Sequence, residues 1–105
     1  MAEQAGTVTI LSFGGCPHVD IARERVTEAL RRAGLEGGRV DDERVETIED
    51  AERLRFRGSP TILINGRDPF ANEDAPIGLA CRIYETPNGA DGAPSIEQLV
   101  DALQA

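Results

Sequence analysis

The order of apolar patterns along the chain predicts an α/β domain, β-α-β-α-β-β-α, with a mixed four-stranded sheet and helices on both faces. Three observations carry that prediction. A β-branched run, Thr7-Val8-Thr9-Ile10-Leu11, is followed by a glycine turn and then a long stripe of helical period. A second run, Thr61-Ile62-Leu63-Ile64, has consecutive apolar residues, as suits a central strand covered on both faces. A capped amphipathic segment closes the chain.

The first strand is expected over residues 7–13 and stops at Gly14-Gly15. A helix follows over 17–33, with Pro17 in its first turn and Gly34 just past its end. Val19, Ala22, Val26, Leu30 and Ala33 recur at three- and four-residue steps, opposite Glu24, Thr27, Glu28 and Arg31. Residues 39–47 hold Val40 and Val45 amid charge and read as a short, partly exposed strand. Thr47 with Asp50 caps a brief helix over 49–55. The central strand covers 60–66. A polar loop, 67–78, contains Asp68-Pro69-Phe70, a turn with Phe70 packed inward or held as a lid. The last strand covers 79–85, with Leu79, Cys81 and Ile83 on one face and Arg82 and Tyr84 largely on the other. Past the turn at Pro87-Asn88-Gly89, Ser95 and Gln98 form a capping box ahead of Ile96, Leu99, Val100 and Leu103. The two helical crossovers imply parallel neighbours, and the last two strands pair antiparallel.

With 105 residues the sequence predicts one domain, residues 1–105. Nineteen acidic residues against eleven basic ones give a net charge of −8. That balance argues against a nucleic-acid binder, whose affinity rests on clustered cations. All the basic residues are arginine, so phosphate loops and Schiff-base chemistry that need a lysine are excluded. No run is long and apolar enough for a membrane span, and no leader pattern opens the chain. Two cysteines are too few for a secreted disulfide scaffold, and a cytoplasmic protein is expected. His18, the sole histidine, lacks the partners of a zinc site. The acids Asp41, Asp42, Glu43, Glu46, Glu49, Asp50 and Glu52 read as a solvated face, and Tyr84 as a packing residue.

Chemistry concentrates at Phe13-Gly14-Gly15-Cys16-Pro17-His18-Val19. Cys16 is expected at or just before the first helical residue, where free N–H groups and the helix dipole favour an anion. Thiols in such places ionise more readily and react faster. His18, two residues on, would as a cation add to that effect. The alternative is a small buried residue at a helix start, with Gly14-Gly15 serving only as a turn.

A second segment bears on that choice. Arg57-Gly58-Ser59-Pro60-Thr61-Ile62-Leu63-Ile64-Asn65-Gly66 resembles the cis-proline segment of thioredoxin-like proteins, and it follows a short second helix at the family's distance from Cys16. Cys16-Pro17-His18-Val19 resembles the Cys-Pro-His-Cys motif of the thiol-disulfide oxidoreductase branch, with Val19 in place of the second cysteine. The likeness runs from Thr7 to Leu103.

The resemblance implies a thioredoxin-like fold, with Cys16 as nucleophile and His18 supporting its thiolate. It also implies a cis Ser59–Pro60 peptide facing the sulfur. Ser59, Pro60 and Thr61 would then bind the substrate, their main-chain groups pairing with an extended partner. No cofactor is implied; the partner is a thiol or disulfide, protein or glutathione. Because Val19 replaces the second cysteine, a monothiol mechanism resolved by an external thiol is expected. Cys81 is the only internal candidate for a resolving thiol. Four residues of strand span roughly 13 Å, and a strand returning from Asn65 would carry Cys81 to the far end of the sheet. Its alternation with Leu79 and Ile83 therefore favours a core cysteine.

Two other functions compete. One is a redox-inactive module that keeps the Pro60 groove for binding a peptide. The other follows from a likeness to small actinobacterial thioredoxin-like proteins, sometimes labelled alkylmercury lyase. There Cys16, Cys81 and Asp20 would supply two soft thiolates and an acid.

Overall fold

The computed structural model describes residues 7–35, 38–71 and 74–104. Its elements are β1 (Thr7–Ser12), α1 (Val19–Arg32), β2 (Arg39–Arg44), α2 (Ile48–Leu54), β3 (Thr61–Ile64), β4 (Tyr84–Thr86), β5 (Gly89–Asp91) and α3 (Ile96–Gln104). No described helix is long and apolar enough to cross a membrane.

The main sheet has three strands in the order β2-β1-β3. β1 runs parallel to β2, Thr7 opposite Arg39 and Ser12 opposite Arg44, as a helical crossover requires. β3 lies antiparallel to β1, with Val8 opposite Ile64 and Leu11 opposite Thr61. Parallel pairing was expected here, and the length of α2 explains the difference. Seven residues of helix reach only about 10 Å, too little to carry the chain back along the sheet. β3 therefore starts at the end where β2 finishes.

Helices cover both faces. On one, Ala22, Val26, Ala29 and Leu30 of α1 and Leu99 of α3 pack with Val8, Ile10 and Ile62. On the other, Ala51 of α2 packs with Leu11, Val45 and Phe56. The expected caps form. Thr47 Oγ1 accepts the Asp50 N–H at 3.0 Å, and the Ser95–Gln98 box closes through bonds of 2.9 and 3.1 Å. Asp42, Glu43, Glu46, Glu49 and Glu52 are exposed, as a solvated face requires.

The last strand is where sequence and structure part. It does not join the sheet as a fourth strand: residues 84–86 pair with 89–91 in a separate hairpin. Its alternation survives, but with Leu79, Cys81 and Ile83 outermost. Leu79 and Ile83 are 44% and 60% exposed, while Arg82 and Tyr84 are buried. Polar partners waiting inside account for this. Arg82 Nη1 donates to Asp68 Oδ2 at 2.8 Å and to Thr61 Oγ1 at 3.3 Å, and Nη2 donates to the Phe70 carbonyl. The guanidinium also lies 4.6 Å from the centre of the Tyr84 ring. Tyr84 Oη donates to the Pro60 carbonyl at 2.5 Å, and Phe70 meets the ring edge-on at 5.8 Å.

Burial pushes the Tyr84 phenol above its ordinary range, the negative Asp68 adds to this, and Arg82 opposes it. The fold favours the neutral phenol, so its contribution to stability is complete below the unfolded value of about 10 and fades as pH rises beyond it. Tyr84 is the only tyrosine and there is no tryptophan. In an ultraviolet pH titration, phenolate absorbance is expected to stay absent past pH about 10 and then to appear together with unfolding. An ordinary phenol titration in folded protein would contradict the packing.

Candidate functional site

β1 ends and β3 begins at the same edge of the sheet, because Leu11 pairs with Thr61. The chain leaving β1 turns at once. The Cys16 N–H donates to the Phe13 carbonyl at 3.3 Å, closing a four-residue turn with Gly15 at φ 84°. Gly14 lacks a positive φ, so this is the type II pattern, which calls for glycine at its third position. The turn is bare around Gly15, and beside Gly14 it meets only the tip of Arg44. That guanidinium has no ion pair among the described residues and gives the turn a positive neighbour in an acidic chain.

Cys16 is half-buried and its thiol is free. It stands further from the helix than the sequence predicts. α1 begins at Val19 with His18 as its N-cap, so Cys16 precedes the cap by two residues. The His18 carbonyl accepts the Ala22 N–H at 3.0 Å. Its ring packs against Gly92, where an added Cβ would fall 2.4 Å from Cγ. Nδ1 of that ring is buried and has no hydrogen-bond partner among the described residues. Close by, the Asp91 carboxyl is held below its usual range, first by the Gly92 N–H and then by Arg25. Arg25 also donates to the Ala93 and Pro94 carbonyls, tying this corner to α1.

The Ser59–Pro60 peptide is cis, and Ser59, Pro60 and Thr61 are all buried. Their polar groups are largely taken. Thr61 Oγ1 donates to the Gly58 carbonyl at 2.6 Å while accepting from Arg82. The Ser59 N–H donates to the Ala80 carbonyl at 2.8 Å, and the Ser59 carbonyl accepts the Arg82 N–H at 2.9 Å. So the main-chain groups that the resemblance offers to a substrate are occupied by the protein's own residues 80–82. The Ser59 hydroxyl is buried and unpartnered.

Cys81 is the centre of that intruding segment, bridged in parallel to Ser59. It is exposed and free, neither a core cysteine nor placed at the far end of the sheet. The 67–78 loop accounts for the error, although its residues 72 and 73 lie outside the described ones. A tight turn bonds Ile64 with Arg67, and by residues 75–78 the chain is back beside the start of β3, where the Ala75 carbonyl accepts from Arg57 and the Gly78 N–H reaches the Phe56 carbonyl. Only then does it pair, beside the start of β3. Cys81 also lines an open groove of about 500 Å³ with Arg57, Phe70, Pro76, Ile83 and Tyr84. Asp20 lies exposed in the first turn of α1. Among the described residues no three His, Cys, Asp or Glu side chains gather as a metal-holding group, so Asp20 does not join the two cysteines.

Sequence reasoning missed Gly58, Asp68 and Arg82, which hold the 80–82 segment in place. The available signal was an arginine between apolar residues in a strand, which needs a carboxylate partner if buried. In comparisons with known proteins, no family model matches the chain, and neither a curated protein nor a solved structure matches it.

Gly58, at φ 126°, is the closest approach between the two segments. A Cβ there would come 2.7 Å from Arg82 Cβ and 3.1 Å from its Cα. Gly58→Ala is expected to cost about 1–3 kcal/mol in urea unfolding and to alter the native alkylation rate of Cys81. Unchanged stability and reactivity would mean that this contact does not hold Cys81.

Proposed function

We propose that the chain has a thioredoxin-like fold and carries out thiol–disulfide exchange through Cys16. The observation that supports this most is the shared edge of the sheet. The antiparallel register of β1 with β3 brings the Cys16 turn to the end where Ser59–Pro60 enters. The free, half-buried thiol in an uncovered glycine turn is compatible with attack on a small disulfide. In the reaction the Cys16 thiolate attacks one sulfur of R–S–S–R′. A mixed disulfide Cys16–S–S–R forms, and R′S⁻ leaves and takes up a proton.

The occupied Ser59 groups bear on the substrate. An extended peptide pairing along Ser59 would have to displace residues 80–82 and their two main-chain bonds. Glutathione disulfide, or a glutathione adduct, needs no such pairing and is the favoured class. The same observation weighs against the redox-inactive peptide-binding reading, which relies on those groups.

Exchange with glutathione disulfide, followed by release of glutathione, is expected to fall to the buffer background in Cys16→Ser. It is expected to be faster than exchange with a disulfide in an extended peptide. A Cys16→Ser protein with full activity would refute this function.

A further inference from the structure

We propose that Arg44 determines the specificity of the Cys16 site by pairing with the glycyl carboxylate of a glutathione disulfide. This rests on the Cys16 exchange reading and names the residue that selects its substrate.

The backbone fixes where Arg44 stands. In the parallel pairing of β1 with β2 it lies opposite Ser12, and the Val45 N–H prolongs the ladder by donating to the Ser12 carbonyl at 2.8 Å. Side chains alternate along a strand, so Arg44 shares a face with Val40 and Asp42. That is the face α1 covers: Val40 packs against its cluster, and Arg23 of α1 holds Asp42. Glu43 falls on the other face, beside Leu11. From the α1 face the Arg44 side chain reaches the glycine turn, where a Cβ at Gly14 would sit 3.2 Å from its Nη1.

The fold makes no use of this guanidinium. Arg23, Arg25, Arg39, Arg53 and Arg82 each hold a carboxylate. Arg44 is exposed and makes no ion pair or hydrogen bond among the described residues. Its N–H donors form a planar fork that matches a carboxylate. Reach suits the substrate. Cys16 is two residues from Gly14, a span of at most about 7 Å. In glutathione the glycyl carboxylate stands a similar distance, roughly 7 Å, from the sulfur. Charge makes the contact selective. A chain of net charge −8 repels an anionic disulfide, and Arg44 offsets that repulsion only for a substrate with a carboxylate at this reach.

The test measures the rate at which Cys16 of the full chain forms a mixed disulfide, mapped by peptide mass without reductant. Glutathione disulfide is compared with the disulfide of glutathione esterified at its glycyl carboxylate. The ratio of the two rates cancels effects on folding or on the sulfur itself. Arg44→Ala is expected to slow glutathione disulfide about 2–5-fold, the worth of one exposed ion pair, and to leave the ester unchanged. Arg44→Lys is expected to keep the wild-type ratio. So is Arg67→Ala, which removes the same charge from the turn past the far end of β3. An unchanged ratio in Arg44→Ala, or the same change in Arg67→Ala, would overturn the role of Arg44 and leave the exchange reading intact. Wild-type protein that forms no mixed disulfide at Cys16 with either compound would overturn both.

Discussion

The buried Arg82 guanidinium is the interaction on which this arrangement depends. A buried arginine must satisfy several rigidly directed donors, or the cost of taking its charge from water goes uncompensated. Here Asp68 supplies the opposite charge, the Phe70 carbonyl and Thr61 hydroxyl accept further donors, and the Tyr84 ring covers the face. The hydrogen-bonding partners come from β3 and from the loop behind it. Satisfying them draws residues 80–84 against the start of β3 and turns Leu79, Cys81 and Ile83 outward. Gly58 lets the backbones meet, and Ser59 then bonds on both sides of Cys81.

Much of the frame is legible because it follows from local chemistry. The stripe through Ala22, Val26 and Leu30 faces the sheet, Thr47 and Ser95 cap their helices, and the consecutive apolar residues of β3 lie between helices on both faces. What sequence reasoning misses is set by partners far apart in the chain. Residues 79–84 alternate with period two in either orientation, and periodicity carries no sign. The sign was assigned by hydropathy, whereas Asp68, fourteen residues away, reverses it. The register failed for a related reason: the distance from Asn65 to Cys81 counts only once the path of the loop is known. At the site, the Cys16 turn and the cis Ser59–Pro60 step were anticipated, but the occupation of Ser59 by residues 80–82 was not.

That occupation changes the chemistry open to this end of the sheet. A free edge at Ser59 would invite an extended partner through main-chain bonds. A filled edge withholds those bonds, while the Cys16 turn keeps the Arg44 guanidinium as its neighbour. The proposed preference for a compact disulfide over an extended peptide proceeds from this one structural fact.

The most direct measurement is amide hydrogen exchange by NMR at Ser59 and Arg82, compared between wild type and Asp68→Ala. Both amides are expected to be protected in wild type and to lose protection together in the variant, while Ile10 and Leu63 in the sheet stay protected. Ser59 and Arg82 amides exchanging freely in the wild-type protein would contradict this arrangement, since residues 80–82 would then not be held against Ser59.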